Sequence, residues 1–396
     1  MSGATAGCPH YSNGCERVVS ATLDYLPQIA LAKDFPAVAI NALPSRQVTP
    51  WQLLNPGRPE SFAGLSVFLE RGHFTLDGRS AFAQVGQLLG LGPGDRVLVP
   101  SYHCRSMVEP FVWLGCEVDF YRLNPALEVD VCDLESRLDK RTKLVVVADF
   151  FGFAQNNSSA WDLLGSAGVG ALRDCAHRLF LPGLDAPVVA AVTSLPKMLP
   201  LSLGGAWVAS EALETRVSEI VGRQTGRRSD LRAFVRWGLD SWHARKAPER
   251  LPKLPDAALE KHAAPDGAPG AGTPRPAADV DFAYFRPDSA WHALSGFEAR
   301  VARAAPAAQI IEKRRANFRA LDAAAARNTR VEAIFKLDAT SVPYVFPIKL
   351  SAPRRQFLAL RQAGIGIQRW EDIARTDCPV ANEYREALVQ VPCQHD

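Results

Sequence analysis

From about Leu65 onward, apolar residues fall into short uninterrupted runs separated by stretches with helical spacing. Arg96-Val97-Leu98-Val99-Pro100, Leu144-Val145-Val146-Val147-Ala148, Val188 to Val192 and Ala206-Trp207-Val208 are too short for helices. They are rich in β-branched residues, as strands covered on both faces are. Val169 to Leu172 reads the same way, another apolar-and-loop unit runs through Glu117-Val118-Asp119-Phe120, and Ser80 to Leu89 has the spacing of a helix after the turn Asp77-Gly78. Gly92-Pro93-Gly94-Asp95 is a turn. Strands alternating with helices predict an α/β unit built on a mainly parallel sheet.

The flanks differ. Leu26 to Ala32 and Phe35 to Ile40 are apolar, but Pro36, Pro44, Pro50, Pro56 and Pro59 interrupt this region, so residues 1–62 read as an N-terminal arm. Residues 63–246 form the large domain. Residues 247–280 are dense in Pro, Ala and Gly and read as a linker or excursion. Residues 281–396 read as a smaller α+β domain. In it, Trp291 to Ala326 predicts one long helix, Pro343 to Ile348 a strand, Gln356 to Gln362 a helix, and Gly364-Ile365-Gly366-Ile367 the start of another strand.

Composition narrows the picture. A formal net charge of +3 over 396 residues gives no footprint for nucleic acid or a membrane surface. No apolar run reaches the length of a transmembrane helix, and no secretory leader is read at Met1 to Pro9, so a cytoplasmic location is expected. In that setting the eight cysteines are expected as reduced thiols. Cys8, His10 and Cys15 lack the spacing of a zinc knuckle, and no metal is expected.

Chemistry-bearing residues sit where strands end. Val192-Thr193-Ser194-Leu195-Pro196-Lys197 places a lysine among apolar neighbours, which favour the neutral, nucleophilic amine. Arg173-Asp174-Cys175-Ala176-His177 places a carboxylate and an imidazole at the end of another strand. Gly78, Arg79 and Ser80 form a turn into a helix, suited to an anion and equally to an ordinary helix cap. Tyr102, His103 and Cys104 follow Pro100-Ser101, and any of the three can cover a flat ligand. A lysine for an imine, an acid for a ring nitrogen, a phosphate cradle with Ser194 within reach, and a ring cover are the four demands of pyridoxal 5'-phosphate (PLP). Their order along successive strands points to that cofactor more than any one of them does.

Gly78-Arg79-Ser80-Ala81 with Leu91 to Pro100 resembles the opening of the DegT/DnrJ/EryC1/StrS aminotransferases, the sugar aminotransferase family. Asp149-Phe150-Phe151-Gly152-Phe153, Asp174-Cys175-Ala176-His177, Ser194-Leu195-Pro196-Lys197, Gly204-Gly205-Ala206 and Lys313-Arg314-Arg315-Ala316-Asn317-Phe318 resemble its later motifs. The resemblance implies the PLP-dependent transferase fold type I, and a homodimer with shared active sites. It also implies transfer of an amino group from a donor such as glutamate to a keto acceptor such as a nucleotide-linked keto sugar. Lys197 would then be the Schiff-base lysine, Asp174 the partner of the pyridine nitrogen, and His177 the ring-contacting residue; Gly78, Arg79, Ser80 and Ser194 would serve the phosphate. Cys104 stands where the family commonly has a stacking aromatic, Leu201-Ser202-Leu203-Gly204-Gly205 replaces the usual Gly-Glu-Gly-Gly, and the chain stops where the family runs into a final helix. These departures leave open another PLP chemistry (decarboxylation, elimination or C–C bond formation) or a non-catalytic regulator. Arg223, Arg227, Arg228, Arg286 and Arg369 are candidates for an anionic acceptor group, and equally for solvated surface.

Overall fold

A computed structural model describes residues 23–26, 64–185, 187–224, 230–244, 282–363 and 365–393. Strands β1 (His73–Thr75), β2 (Arg96–Pro100), β3 (Glu117–Tyr121), β4 (Thr142–Ala148), β5 (Gly170–Asp174), β6 (Val188–Ser194) and β7 (Gly205–Ala209) form one seven-stranded sheet. Their order is β1-β7-β6-β5-β4-β2-β3. All neighbouring pairs from β3 to β6 are parallel, and β7 runs antiparallel to both β6 and β1. Val97 to Val99 and Leu144 to Val147 are fully buried, as expected for strands covered on both faces. The chain moves outward through β2 and β3, then returns to β4 and continues the other way. The strand order therefore reverses at the β2–β4 boundary, where open α/β sheets place their ligands at the carboxyl ends.

A second, three-stranded antiparallel sheet has the order β10-β9-β8, from β8 (Val331–Ala333), β9 (Val345–Leu350) and β10 (Leu388–Pro392). Helix Ala307–Ala325 packs on it, with Phe318 edge-on to Phe346 and also against Phe153 of the first sheet's loops. The mainly parallel sheet and its helices make the α/β architecture that alternating strands and helices predict.

Three sequence expectations need correction. The helix expected over Trp291 to Ala326 is two helices, Gly296–Arg303 and Ala307–Ala325. Pro306 sits at the break, where it has no N–H to continue the first helix, and Ser295 and Glu298 form a capping box that starts it only at Gly296. Ile365 to Ile367 form no strand; a single bridge, Gln368 to Gln390, is what that segment adds. Cys104, Cys116, Cys175, Cys378 and Cys393 are free thiols, but Cys132 is disulfide-bonded. Most of the N-terminal arm, the 247–280 linker, the Cys8–His10–Cys15 group, Arg227, Arg228 and Gly364 lie outside the described residues. No described helix is long and apolar enough to cross a membrane.

Two glycines fix how β7 meets the turn into helix Gly78–Leu88. Gly204 has φ +128°, a region that favours glycine, and donates its N–H to the Leu76 carbonyl at 2.8 Å. At Gly205 a methyl group would collide with the Asp77 carbonyl and lie 2.6 Å from the Gly78 nitrogen. Gly205→Ala should therefore lower stability by about 2 kcal/mol or more, seen as a fall in thermal midpoint. Gly165→Ala is the contrast: that position lies inside helix Ser158–Ala167 with open space around it, so the substitution should raise stability by roughly 0.5–1 kcal/mol.

Candidate active site

Asp174 is the last residue of β5, and β6 runs beside it in parallel, with Val192 paired to Asp174. Two residues beyond Val192, Ser194 ends β6, and Leu195–Lys197 turn as one 3₁₀ turn. That turn is tied down by hydrogen bonds from Leu195 N–H to Gly204 (3.0 Å) and from Leu199 N–H to Leu195 (2.8 Å). Lys197 is thus delivered, partly buried, to the carboxyl end of the sheet beside Asp174. Burial pushes its amine pKa below the ordinary lysine value, against the pull of Cys104 and Asp174, and the positive charge of Arg79 lowers it further. Asp174 is 6% exposed, and burial raises its carboxyl to about 6 despite the Lys197 charge and a 2.8 Å hydrogen bond from the Ala176 N–H. Among the described residues that is its one hydrogen-bond donor, and no cation forms an ion pair with it. The carboxyl is therefore suited to a further donor or cation at its face.

His177 follows on the same turn. Its Nδ1 accepts the Phe151 N–H at 3.1 Å, so its proton resides on Nε2. Burial, then the Lys197 charge, holds its pKa well below the usual imidazole value, and the ring is neutral at neutral pH. Tyr344 stacks on it at 4.7 Å between centroids and 14° between planes, and Phe151 at 5.6 Å and 11°. Trp370 lies 5.5 Å away, and the Lys197 amine is 5.7 Å from the Tyr344 ring centre. Phe151 has φ +59°, a conformation that bulky residues rarely adopt and that clusters at functional sites.

The turn into helix Gly78–Leu88 lies at the same end. A methyl group at Gly78 would sit 3.6 Å from Ser194 Cβ, so the turn and the Ser194 strand end are in contact. Asp77, not Ser80, caps the helix, accepting the Ser80 N–H at 2.8 Å. The Gly78 and Arg79 N–H groups have no acceptor among the described residues and stand at the positive end of the helix. The Arg79 and Ser80 side chains are engaged elsewhere. The Arg79 guanidinium holds Asp77 (2.6 Å) and the Tyr284 carbonyl (2.6 Å). The Ser80 hydroxyl lies 3.0 Å from Asp77 Oδ1 and 3.1 Å from the Ser289 carbonyl. The backbone of this turn, with Ser194, is therefore the open part of the cradle.

Of the three residues after β2, Cys104 is the one electrostatically coupled to Lys197 and to Tyr344. Tyr102 is fully buried and stacks on Trp370 at 5.1 Å. His103 is also fully buried: its Nδ1 lies 3.0 Å from the Ser101 carbonyl, its Nε2 accepts the Ala374 N–H (3.2 Å), and its ring stacks on Phe120. Both turn toward the second sheet's loops. Arg223 lies over the Trp291 ring at 4.3 Å, Arg286 is exposed, and Arg369 is buried on Glu371 (2.6 Å). Tyr344, Phe151 and Arg314 complete the site and were not singled out as site residues from sequence. The family motif around Arg314 and the strand pattern around Tyr344 were the available signals, and neither indicates which side chain turns inward.

An amine, a buried carboxyl awaiting a donor, a neutral imidazole and an anion-accepting helix turn fit the aldehyde, ring nitrogen, phenolic oxygen and phosphate of PLP. Comparisons with known proteins bear on the fold and on part of the sequence. The model of the DegT/DnrJ/EryC1/StrS aminotransferase family matches residues 75–181. GDP-perosamine synthase from Vibrio cholerae is 30% identical over 115 residues, 28% of this chain and 31% of that protein. UDP-4-amino-4-deoxy-L-arabinose--oxoglutarate aminotransferase from Shewanella sediminis (strain HAW-EB3) is 31% identical over 93 residues, 23% of this chain and 24% of that protein. The matched stretches thus span less than a third of either relative. The structure of NtdA from Bacillus subtilis with bound cofactor PMP superposes with a TM-score of 0.58 at 13% identity, covering 90% of this chain and 80% of that one.

The raised Asp174 carboxyl has a thermodynamic consequence. Its folded pKa of about 6 exceeds the ordinary 3.8, so folding takes up a proton between those values and stability falls as pH rises through them. In the cofactor-free protein, Asp174→Asn should be more stable than the parent by about 2–3 kcal/mol at pH 7.5, and the difference should shrink to roughly 0.5 kcal/mol near pH 4. Denaturant unfolding at both pH values measures it.

Proposed function

We propose that the protein is a PLP-dependent aminotransferase that moves an amino group from an amino-acid donor, glutamate first among them, to a keto group on an acceptor such as a nucleotide-linked keto sugar. The observation that carries this reading is the partly buried Lys197 amine, pKa lowered, beside the buried Asp174 carboxyl at the ends of adjacent parallel strands. The two partial matches to aminotransferases of activated sugars support the acceptor class.

When bound, the cofactor supplies an electron sink that makes the donor's α-proton removable. Lys197 would hold the aldehyde end, and its Nζ is the base that would take that proton and return it. Asp174 would keep the ring nitrogen protonated; a cation at its face would draw the carboxyl back to its ionised form. His177 would donate from Nε2 to the phenolic oxygen, because its Nδ1 is committed to Phe151. Gly78, Arg79 and Ser194 would receive the phosphate, and Cys104 would be the residue to cover the ring. Tyr344, Phe151 and Trp370 keep water from the amine and so sustain its lowered pKa.

The site is part of a two-domain chain, 63–246 and 281–396, in keeping with the two separate sheets. A homodimer is supported by an exposed apolar stripe, Leu231, Phe234, Val235 and Leu239, on helix Asp230–Ala244. The setting is cytoplasmic.

The purified protein with added PLP should show a visible absorption band that is lost in Lys197→Ala and bleaches toward the amine form of the cofactor when glutamate is added. Turnover in Lys197→Ala should fall by roughly 1,000-fold or more with circular dichroism unchanged. A band indifferent to glutamate would remove glutamate as the donor, and retained turnover in Lys197→Ala would remove the mechanism.

A further inference from the structure

Helix Ala307–Ala325 carries three consecutive basic residues, Lys313, Arg314 and Arg315, and the middle one is 2% exposed. Its guanidinium reaches three carbonyls on two elements: Nη1 donates to Tyr344 (2.9 Å) and Pro343 (3.2 Å), and Nη2 donates to Lys197 (3.0 Å). Among the described residues no carboxylate forms an ion pair with it. Burial lowers its pKa to about 10, so it stays charged at neutral pH. A buried cation satisfied only by neutral carbonyls is costly, and an apolar residue of the same length would fill the space at lower cost. Features that break such a rule are expected at functional sites.

The carbonyls it holds frame the site. One belongs to Lys197 itself, and another to Tyr344, whose ring faces the Lys197 amine. The Tyr344 N–H donates to the Phe151 carbonyl at 2.8 Å, and the Phe151 N–H donates to His177. Gly152, at φ +96°, lets this loop lie directly against Val342 to Tyr344, where a methyl group would collide with the Val342 carbonyl. A continuous hydrogen-bonded path thus runs from the Lys197 peptide through Arg314, Tyr344 and Phe151 to His177.

We propose that Arg314 is a positioning residue: its planar fork locks the Lys197 carbonyl to those of Pro343 and Tyr344 and thereby holds the Lys197 amine in its half-buried place over the Tyr344 ring. It touches neither cofactor nor substrate. A lysine there would place a single ammonium among the carbonyls without the fixed fork that spans two elements. The proposal rests on Lys197 being the reacting amine, but its test does not require cofactor.

The test measures the pH profile of Lys197 acetylation by acetic anhydride in the cofactor-free protein, read by peptide mass spectrometry, with exposed Lys143 as internal reference. The groups that face Lys197, namely Asp174, Cys104, Arg79, His177 and Tyr344, are the same in every variant. In Arg314→Met the released turn admits water, and the apparent pKa of Lys197 should rise by roughly one pH unit, with Lys143 unchanged. Arg314→Lys should give a smaller rise. With PLP bound, Arg314→Met should keep a visible band but lose about 10- to 100-fold in kcat, with donor KM changed by less than about threefold. A parental Lys197 profile in folded Arg314→Met overturns the proposal, since general loosening would move melting temperature alone. If Arg314→Met does not fold, a parental profile in Arg314→Lys overturns it equally. Absence of any visible band in the parent with PLP would overturn the reading of Lys197 as the cofactor lysine, while the acetylation profile would still decide the role of Arg314.

Discussion

Lys197 and Asp174 are two groups that water would keep charged and apart, and the fold removes them from water side by side. Everything near them serves that placement. Parallel pairing of β5 and β6 sets their ends level, so the acid at the end of one strand faces the turn that carries the amine after the other. Burial then moves the amine pKa down and the carboxyl pKa up, toward the neutral forms. Such opposed shifts in one cleft are where catalytic acid–base pairs are found. The pair is unstable by itself: in the cofactor-free protein Asp174 costs stability at neutral pH, and a cation at its face would relieve that cost.

Lys197, Asp174, His177 and Phe151 follow strands of the first sheet, and Tyr344 and Trp370 come from the chain around the second. Their join is made of buried, directional contacts. Tyr102 stacks on Trp370, the His103 ring receives the Ala374 N–H, Tyr384 donates to the Pro125 carbonyl, and Arg314 bonds across to Lys197. Partly exposed ion pairs such as Arg122–Asp377 cross the same join but add little, because exposed pairs are worth at most about 1 kcal/mol. The orientation of the Lys197 turn therefore depends on buried polar contacts, which tolerate little displacement before a donor or carbonyl is left unsatisfied. Tyr102 and His103, which precede Cys104 in sequence, are engaged in this join through Trp370 and Ala374.

Much of this was legible in the chain. Runs such as Leu144 to Ala148 have one structural solution when no alternation is present, and chemistry-bearing residues at their ends follow from the way parallel sheets bind ligands. The structure brings five of the residues singled out in this way, Lys197, Asp174, His177, Gly78 and Ser194, to one end of the sheet. Tyr344, Phe151 and Arg314 could not be picked out in the same way, because their place arises from contacts between distant stretches of chain, such as Arg314 with Lys197 and Tyr344 with Phe151, that no local pattern encodes. The choice among Tyr102, His103 and Cys104 could not be read from spacing either, since successive residues at an irregular turn have no fixed facing. Helix Ala307–Ala325 shows the reverse failing: composition suggested a continuous helix from Trp291, while one proline and one capping box divide it.

The central claim is that one lysine, Lys197, is set apart from the rest by its surroundings. Incubating the protein with PLP, reducing with borohydride and mapping the product by peptide mass spectrometry tests this most directly. A single pyridoxyl group on the peptide that contains Lys197 is the predicted result. Label spread over exposed lysines such as Lys143 and Lys336, with Lys197 unmodified, would contradict the account.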